Sequence, residues 1–195
     1  MGQRLTTAIY CSWFMVYGLW FAACTDYSPK PSGYFRMDIP APDYRLTDDF
    51  KRFAFEVSDR AFLTEMPQNE DGVFFNITYP DWDAEIYCSF IPIKKDNFAQ
   101  LSEESRKFVY LHAIKADVIR ERAFKNQGQN VYGLVYEIEG NVASPVQFVL
   151  TDSVSSFFRG ALYFNHTPNR DSIAPVLESI NNDIQVLIES FQWKK

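Results

Sequence analysis

The stretch that decides the fold runs from Val73 to Ile91 and reads VFFNITYPDWDAEIYCSFI. Apolar and polar residues alternate in both halves, and this alternation is typical of strands with one buried face. The predicted inward positions are Val73, Phe75, Ile77, Tyr79, Ile86, Cys88 and Phe90. The segment between the halves, PDWD, has the composition of a turn, so the stretch is predicted to form an antiparallel hairpin.

Working outward, three more strands are predicted on the carboxyl-terminal side by the same alternation. They cover residues 131–138, 146–151 and 157–164. In the first of them the predicted buried positions are Tyr132, Leu134, Tyr136 and Ile138.

Two helices are predicted beside these strands. The first begins at Ser102, a favourable N-cap, and runs to about Lys125 before Gly128. Its predicted buried stripe contains Leu111, Ile114 and Val118. The second follows a polar loop and has apolar residues at helical spacing. These residues are Ile173, Leu177, Ile180, Ile184, Leu187, Ile188 and Phe191.

The order of these elements predicts an α+β fold. Hairpin-length connections favour an antiparallel β-sheet, flanked here by two helices, rather than a doubly wound parallel sheet. Residues 46–195 are predicted to form this single α+β domain.

The amino terminus has the pattern of an export signal. Arg4 precedes an uncharged apolar run, and Ala22 and Ala23 lead into Cys24. Residues 1–23 are therefore predicted to be a lipoprotein signal peptide, with Cys24 the lipidation site that carries acyl chains such as palmitate. An uncleaved membrane-spanning helix over residues 5–24 and an ordinary cleaved signal are the alternatives. Each places the domain outside the cytoplasm.

Residues 24–45 are predicted to be a lipidated extended tether. Four of the ten prolines of the chain fall between residues 29 and 42, and proline favours extended, semi-rigid backbone. The segment would hold the domain away from the bilayer.

Charge and composition exclude several classes of partner and site. The net charge is −6, and no Lys/Arg cluster is present, so nucleic acid is not expected as a partner. After Cys11 and Cys24 are set aside, Cys88 is alone, which excludes an intramolecular disulfide and favours a core position. The sequence has no P-loop, G-x-S-x-G, G-x-G-x-x-G or H-E-x-x-H motif. No catalytic residue, metal site or cofactor is predicted.

Candidate contact residues are His112 and Lys115, which would share a face of the first helix, and Arg159 on the sheet. The other predicted outward sheet positions are Asn76, Thr78, Glu85, Tyr87, Ser89, Glu137, Gln147 and Thr151. Such a polar and aromatic surface suits a partner protein or glycan, but an ordinary water-facing sheet has the same pattern.

Several stretches together resemble the gliding motility lipoprotein GldD family. They are residues 29–36 (PKPSGYFR), 112–117 (HAIKAD), 131–134 (VYGL), 144–153 (SPVQFVLTDS), 158–164 (FRGALYF) and 188–194 (IESFQWK). The likeness spans nearly the whole mature chain. The order of elements also resembles PsbP-like domains, which are antiparallel sheets flanked by helices.

The resemblance implies a non-enzymatic component of the gliding motility and type IX protein secretion machinery, acting through contacts with other envelope proteins. It implies a lipid anchor on Cys24 and no cofactor. Residues 25–28 lack an acidic surface-export signal, so a periplasm-facing location is expected, with inner and outer membrane both open. The alternative is a periplasmic binding module for a lipid, glycan or peptide, with a pocket lined by Tyr87, Tyr132 or Tyr163.

Overall fold

The computed structural model describes residues 39–66, 72–94, 97–112, 116–165 and 170–194. Within these ranges the helices are α1 (Phe98–His112) and α2 (Arg170–Ser190). The strands are β1 (Tyr44–Leu46), β2 (Phe53–Ala54), β3 (Glu56–Ser58), β4 (Phe62–Glu65), β5 (Val73–Tyr79), β6 (Ala84–Pro92), β7 (Ala116–Asn126), β8 (Val131–Gly140), β9 (Val146–Thr151), β10 (Ser156–Phe164) and β11 (Gln192–Trp193). The predicted signal peptide, Cys24 and most of the predicted tether lie outside the described residues.

Seven of the strands form one antiparallel sheet in the order β4-β5-β6-β10-β9-β8-β7. The predicted hairpin is β5 and β6, which pair from Val73 opposite Phe90 to Tyr79 opposite Ala84. After β6 the chain passes through α1 and enters the far edge of the sheet as β7. The meander from β7 to β10 then returns, and β10 pairs with β6. The predicted α+β class is confirmed.

Helix α2 covers one face of this sheet. The residues that face it include Phe75, Ile86, Phe148, Phe158 and Leu162, each almost fully buried. On the helix, Ile180, Ile184, Leu187 and Ile188 are buried at the predicted spacing. Pro175 is the sixth residue of α2 and lies inside the helix, where it removes one backbone donor. This helix prediction is confirmed.

Short strands from the amino-terminal part close the sides of the core. Strand β1 pairs with β3, and β2 pairs with β11, which places Phe53 opposite Trp193. Because β1 begins at Tyr44, the last residues of the segment predicted as tether belong to the folded body. The Arg60 guanidinium also donates a hydrogen bond to the Pro40 carbonyl oxygen.

The first predicted helix is wrong in its second half. Helix α1 ends at His112, and the chain from Ala116 to Asn126 is strand β7, paired with β8. Leu111 and Val118, predicted as buried, are 64% and 44% exposed. Ile114 lies outside the described residues.

The error has a physical cause in the composition of β7. Its Arg, Glu, Ala and Lys residues all favour helix in isolation, but pairing with β8 overrides that weak preference. As an edge strand, β7 has charged side chains exposed to water, which is how edges avoid pairing with other chains. Cross-strand ion pairs join Arg120 to Glu139 and Arg122 to Glu137.

The predicted inward positions of β8 also need correction. Val131 and Val135 face the core beneath α2, whereas Tyr136 and Ile138 pack with Val109 of α1 on the opposite face. Because α1 covers this part of the second face, β8 is buried on both sides, and alternation cannot identify the core face.

Candidate functional site

A groove opens on the sheet face that α1 covers only in part. Its volume is about 580 Å³, and its floor is formed by the outward side chains of β5, β6 and β10. Apolar and aromatic side chains make up much of the lining, with a few polar groups among them. The lining includes Met66, Phe74, Asn76, Tyr87, Ser89, Arg159, Ala161, Tyr163 and Asn165.

Arg159 is the cation of this groove. Its guanidinium carbon lies 4.4 Å from the centroid of the Phe108 ring of α1, which is cation–π geometry. One of its nitrogens donates a hydrogen bond of 3.1 Å to Gln147 Oε1. Within the described part of the chain, Arg159 forms no ion pair with a carboxylate. Burial lowers its pKa, but a guanidinium is still fully charged near neutral pH.

Gln147 supports Arg159 from the neighbouring strand. It is 1% exposed and is directly opposite Ala161, one of the groove residues. Because its Oε1 accepts from Arg159, its Nε2 is left as a donor, and this atom has no hydrogen-bond acceptor among the described residues. Buried donors of this kind are rare in folded proteins. The α1 end of the groove therefore holds the Arg159 guanidinium, with the buried Gln147 amide beside it.

The middle of the groove is aromatic. Tyr87 and Tyr163 form an edge-to-face pair with ring centroids 5.2 Å apart, and Tyr87 is 42% exposed. Burial, together with the neighbouring Glu85, raises the pKa of Tyr87. Glu85 accepts a hydrogen bond of 3.0 Å from Asn76. Along β6, Glu85 is four residues from Ser89, which is a distance of about 13 Å in a strand. Ser89 is the strand partner of Arg159.

Of the predicted contact residues, the structure describes Arg159 and the helix position of His112. Arg159 lies in the groove, as described, and His112 is the last residue of α1. Lys115 lies outside the described residues. The contact role predicted for His112 together with Lys115 therefore stays a prediction.

Most of the predicted outward sheet positions lie on the groove side. The exceptions have structural reasons: Glu137 is opposite Val146 and thus on the α2 side, and Gln147 is buried. The residue that sequence reasoning missed is Phe108, which was assigned only to the helix. Its stacking on Arg159 depends on how α1 crosses the sheet, and no sequence spacing encodes that crossing.

Three large side chains, two aromatic and one aliphatic, are exposed on α1. Phe108, Tyr110 and Leu111 of α1 are 45%, 47% and 64% exposed, and we call them the α1 patch. Phe108 also contacts Arg159, so this member of the patch borders the groove. Exposed aromatic and apolar groups beside an arginine are enriched at protein–protein interfaces.

A second cluster of titratable groups is buried under α2. Tyr44 donates a hydrogen bond of 2.8 Å to Asp183 Oδ1, which ties β1 to the helix. Burial raises the pKa of Asp183, and it raises the pKa of Tyr44 to about 12, with Asp183 as the next cause. Burial also raises the pKa of Tyr79 and of Cys88, whose thiol lies in the core as predicted.

These shifts predict loss of stability in alkali. In the folded protein Tyr44, Tyr79 and Cys88 keep their protons above the pH at which the unfolded chain loses them, so the free energy of unfolding falls as pH rises above about 9. For Cys88 alone the slope is about 1.4 kcal/mol per pH unit. We expect urea unfolding, followed by circular dichroism at pH 8 and 10.5, to show the fall.

The Cys88→Ala variant is the control for that measurement. This substitution should make the fall in the free energy of unfolding between pH 8 and 10.5 smaller by about 2 kcal/mol. Equal free energies of unfolding at pH 8 and 10.5 would contradict the assignment of these groups.

The family model for the gliding motility lipoprotein GldD matches residues 24–193. The chain belongs to this family. Membership in the GldD family gives the protein a role in gliding motility and a lipid-anchored place in the cell envelope. The match begins at Cys24, the predicted lipidation site. No curated protein matches the chain.

The described residues contain neither a membrane-spanning helix nor a cluster of metal ligands. Neither α1 nor α2 is long and apolar enough to cross a membrane. Among the same residues, no three His, Cys, Asp or Glu side chains converge as a metal site would require.

Proposed function

We propose that this GldD-family protein is a non-enzymatic component of the gliding motility and type IX secretion machinery. It acts by contacts with other envelope proteins and is held, facing the periplasm, by lipid on Cys24. The family match over residues 24–193 carries the proposal. An acidic body with net charge −6 gains no attraction to anionic lipid, so the lipid anchor would provide the membrane attachment.

The groove and the α1 patch support action through protein contacts. Together they offer exposed aromatic side chains, a cation at Arg159 and apolar area on one side of the sheet. Interfaces depend on a few such anchor residues surrounded by polar groups. By contrast, the titratable residues Cys88 and Asp183 are each only 4% exposed in the folded body.

The groove also favours a second candidate, the periplasmic binding module. Beneath α2 the space between sheet and helix is filled by packed phenylalanine rings. Tyr87 and Tyr163 instead line the groove on the opposite face. A binding role would therefore use the same surface as a protein contact.

Complementation of a deletion strain tests the leading proposal. We expect the deletion to abolish spreading and type IX secretion, and the wild-type gene to restore both. Cys24→Ala should leave the protein unlipidated, shift it from the membrane fraction to the soluble fraction, and fail to complement, because the acyl chains supply the anchoring free energy.

The matched control is Cys11→Ala, which removes a cysteine from the same predicted signal peptide without touching the cleavage position. It should complement fully. His112→Ala should also complement, since the proposal gives that side chain no catalytic role. Gliding and secretion in the deletion strain, or full activity of Cys24→Ala, would overturn the proposal.

A further inference from the structure

At the α1 end of the groove, the Arg159 guanidinium has no acidic partner among the described residues. Arg159 contacts Phe108 and Gln147 but no carboxylate, and Gln147 Nε2 has no acceptor among the described residues. A partly buried cation normally has an acidic partner, because desolvation is costly when the charge is unpaired. The missing partner is therefore an anion that the described part of the chain does not supply.

The shape of the guanidinium decides which anion fits. Stacking on Phe108 holds the plane of Arg159, and one nitrogen is already used on Gln147. The remaining donors of an arginine suit the two oxygens of a carboxylate. Beyond Arg159, the groove is lined by Met66, Phe74 and the Tyr87–Tyr163 pair, which suit an apolar or aromatic side chain next to the charge.

We propose that the groove binds a carboxylate on a partner polypeptide, with the carboxylate at Arg159 and an adjacent apolar side chain over Tyr87 and Tyr163. This rests on the proposed function, in which the protein acts through protein contacts. A volume of about 580 Å³ holds a short peptide segment. Glu85, which accepts a hydrogen bond from the groove residue Asn76, disfavours a second negative charge near it.

The test is a titration of the purified full-length chain in detergent, labelled with [¹³C-methyl]methionine. The methyl signal of Met66, which lines the groove, is assigned by its loss in Met66→Leu. The probes are N-acetyl-glycyl-phenylalanine with a free terminal carboxylate, its terminal amide, and N-acetyl-glutamyl-phenylalanine amide. The first probe carries its negative charge at the chain end, the second carries no charge, and the third carries its charge on a side chain.

We expect a carboxylate probe to shift the Met66 signal and to bind about tenfold more tightly than the neutral amide. The tighter of the two charged peptides identifies the source of the carboxylate. Arg159→Gln should remove this preference, while Arg45→Gln, an equal charge change at an exposed residue of β1 outside the groove, should keep it. Arg159→Lys keeps the charge but loses the planar fork, so its affinity for the carboxylate probes should fall between those of the wild-type protein and Arg159→Gln.

The proposal would be overturned if the neutral amide bound as tightly as the carboxylate probes. It would also be overturned if Arg159→Gln gave the Met66 spectrum of the wild-type protein and still preferred the carboxylate probes. Benzoate or phenyl phosphate binding as tightly as the best peptide would overturn the assignment of a peptide carboxylate. These failures leave the complementation results untouched, so they are separable from failure of the proposed function.

Discussion

Phe53→Ala is expected to lower the free energy of unfolding by about 3–5 kcal/mol, the usual cost of deleting a fully buried phenylalanine ring. Phe53 is 0% exposed and is the centre of an aromatic cluster. Its ring centroid lies 4.7 to 6.2 Å from those of Phe50, Phe55, Phe75, Phe90, Phe158 and Phe191. The change leaves a cavity where the amino-terminal strands meet the sheet and β11.

Equilibrium urea unfolding of the purified protein measures this effect. Because domains of this size are stable by only about 5–15 kcal/mol, the variant should show a much lower urea midpoint. Phe62→Ala is the matched control: Phe62 is 60% exposed in β4, and its loss should change stability by less than about 0.5 kcal/mol. Similar midpoints for the two variants would show that the cluster is not the centre of the core.

Gly160→Ala is expected to destabilise the protein by about 1–3 kcal/mol through overpacking. A Cβ atom at Gly160 would lie 2.2 Å from Cζ and 2.4 Å from Cε1 of Phe148. Phe148 is directly across from Gly160 in β9 and is 1% exposed, so its ring cannot move aside without displacing other core residues. The glycine is needed for this close approach.

A double-mutant cycle with Phe148→Leu isolates that cause. In the Phe148→Leu background the added methyl group has room, so Gly160→Ala should cost much less than in the wild-type background. Urea unfolding of the four proteins gives the coupling free energy. Strictly additive effects would show that the ring is not what excludes a side chain at position 160.

The site was only partly predictable. Alternation placed Arg159, Tyr87 and Asn76 on the outward face, and all three line the groove. Sequence could not show that α1 covers only part of that face, because this depends on where the chain crosses from β6 to β7. The same crossing buries Gln147 and brings Phe108 over Arg159.

The short strands were beyond local analysis for a related reason. Phe53 falls in a stretch without clear alternation, and its position is fixed by pairing of β2 with β11, nearly 140 residues away. Likewise, β7 has a composition that favours helix. Only its pairing with β8 makes it a strand.

By itself, the sequence determined the α+β class, the β5–β6 hairpin, helix α2, the buried position of Cys88 and the resemblance to the GldD family. Each depends on the periodicity or identity of neighbouring residues, which local physics converts directly into structure. Tertiary structure alone decided the end of α1, the two-sided burial of β8 and the groove at Arg159. These depend on contacts between distant segments. The free energy of such contacts outweighs local preference, and no periodic pattern in the sequence indicates them.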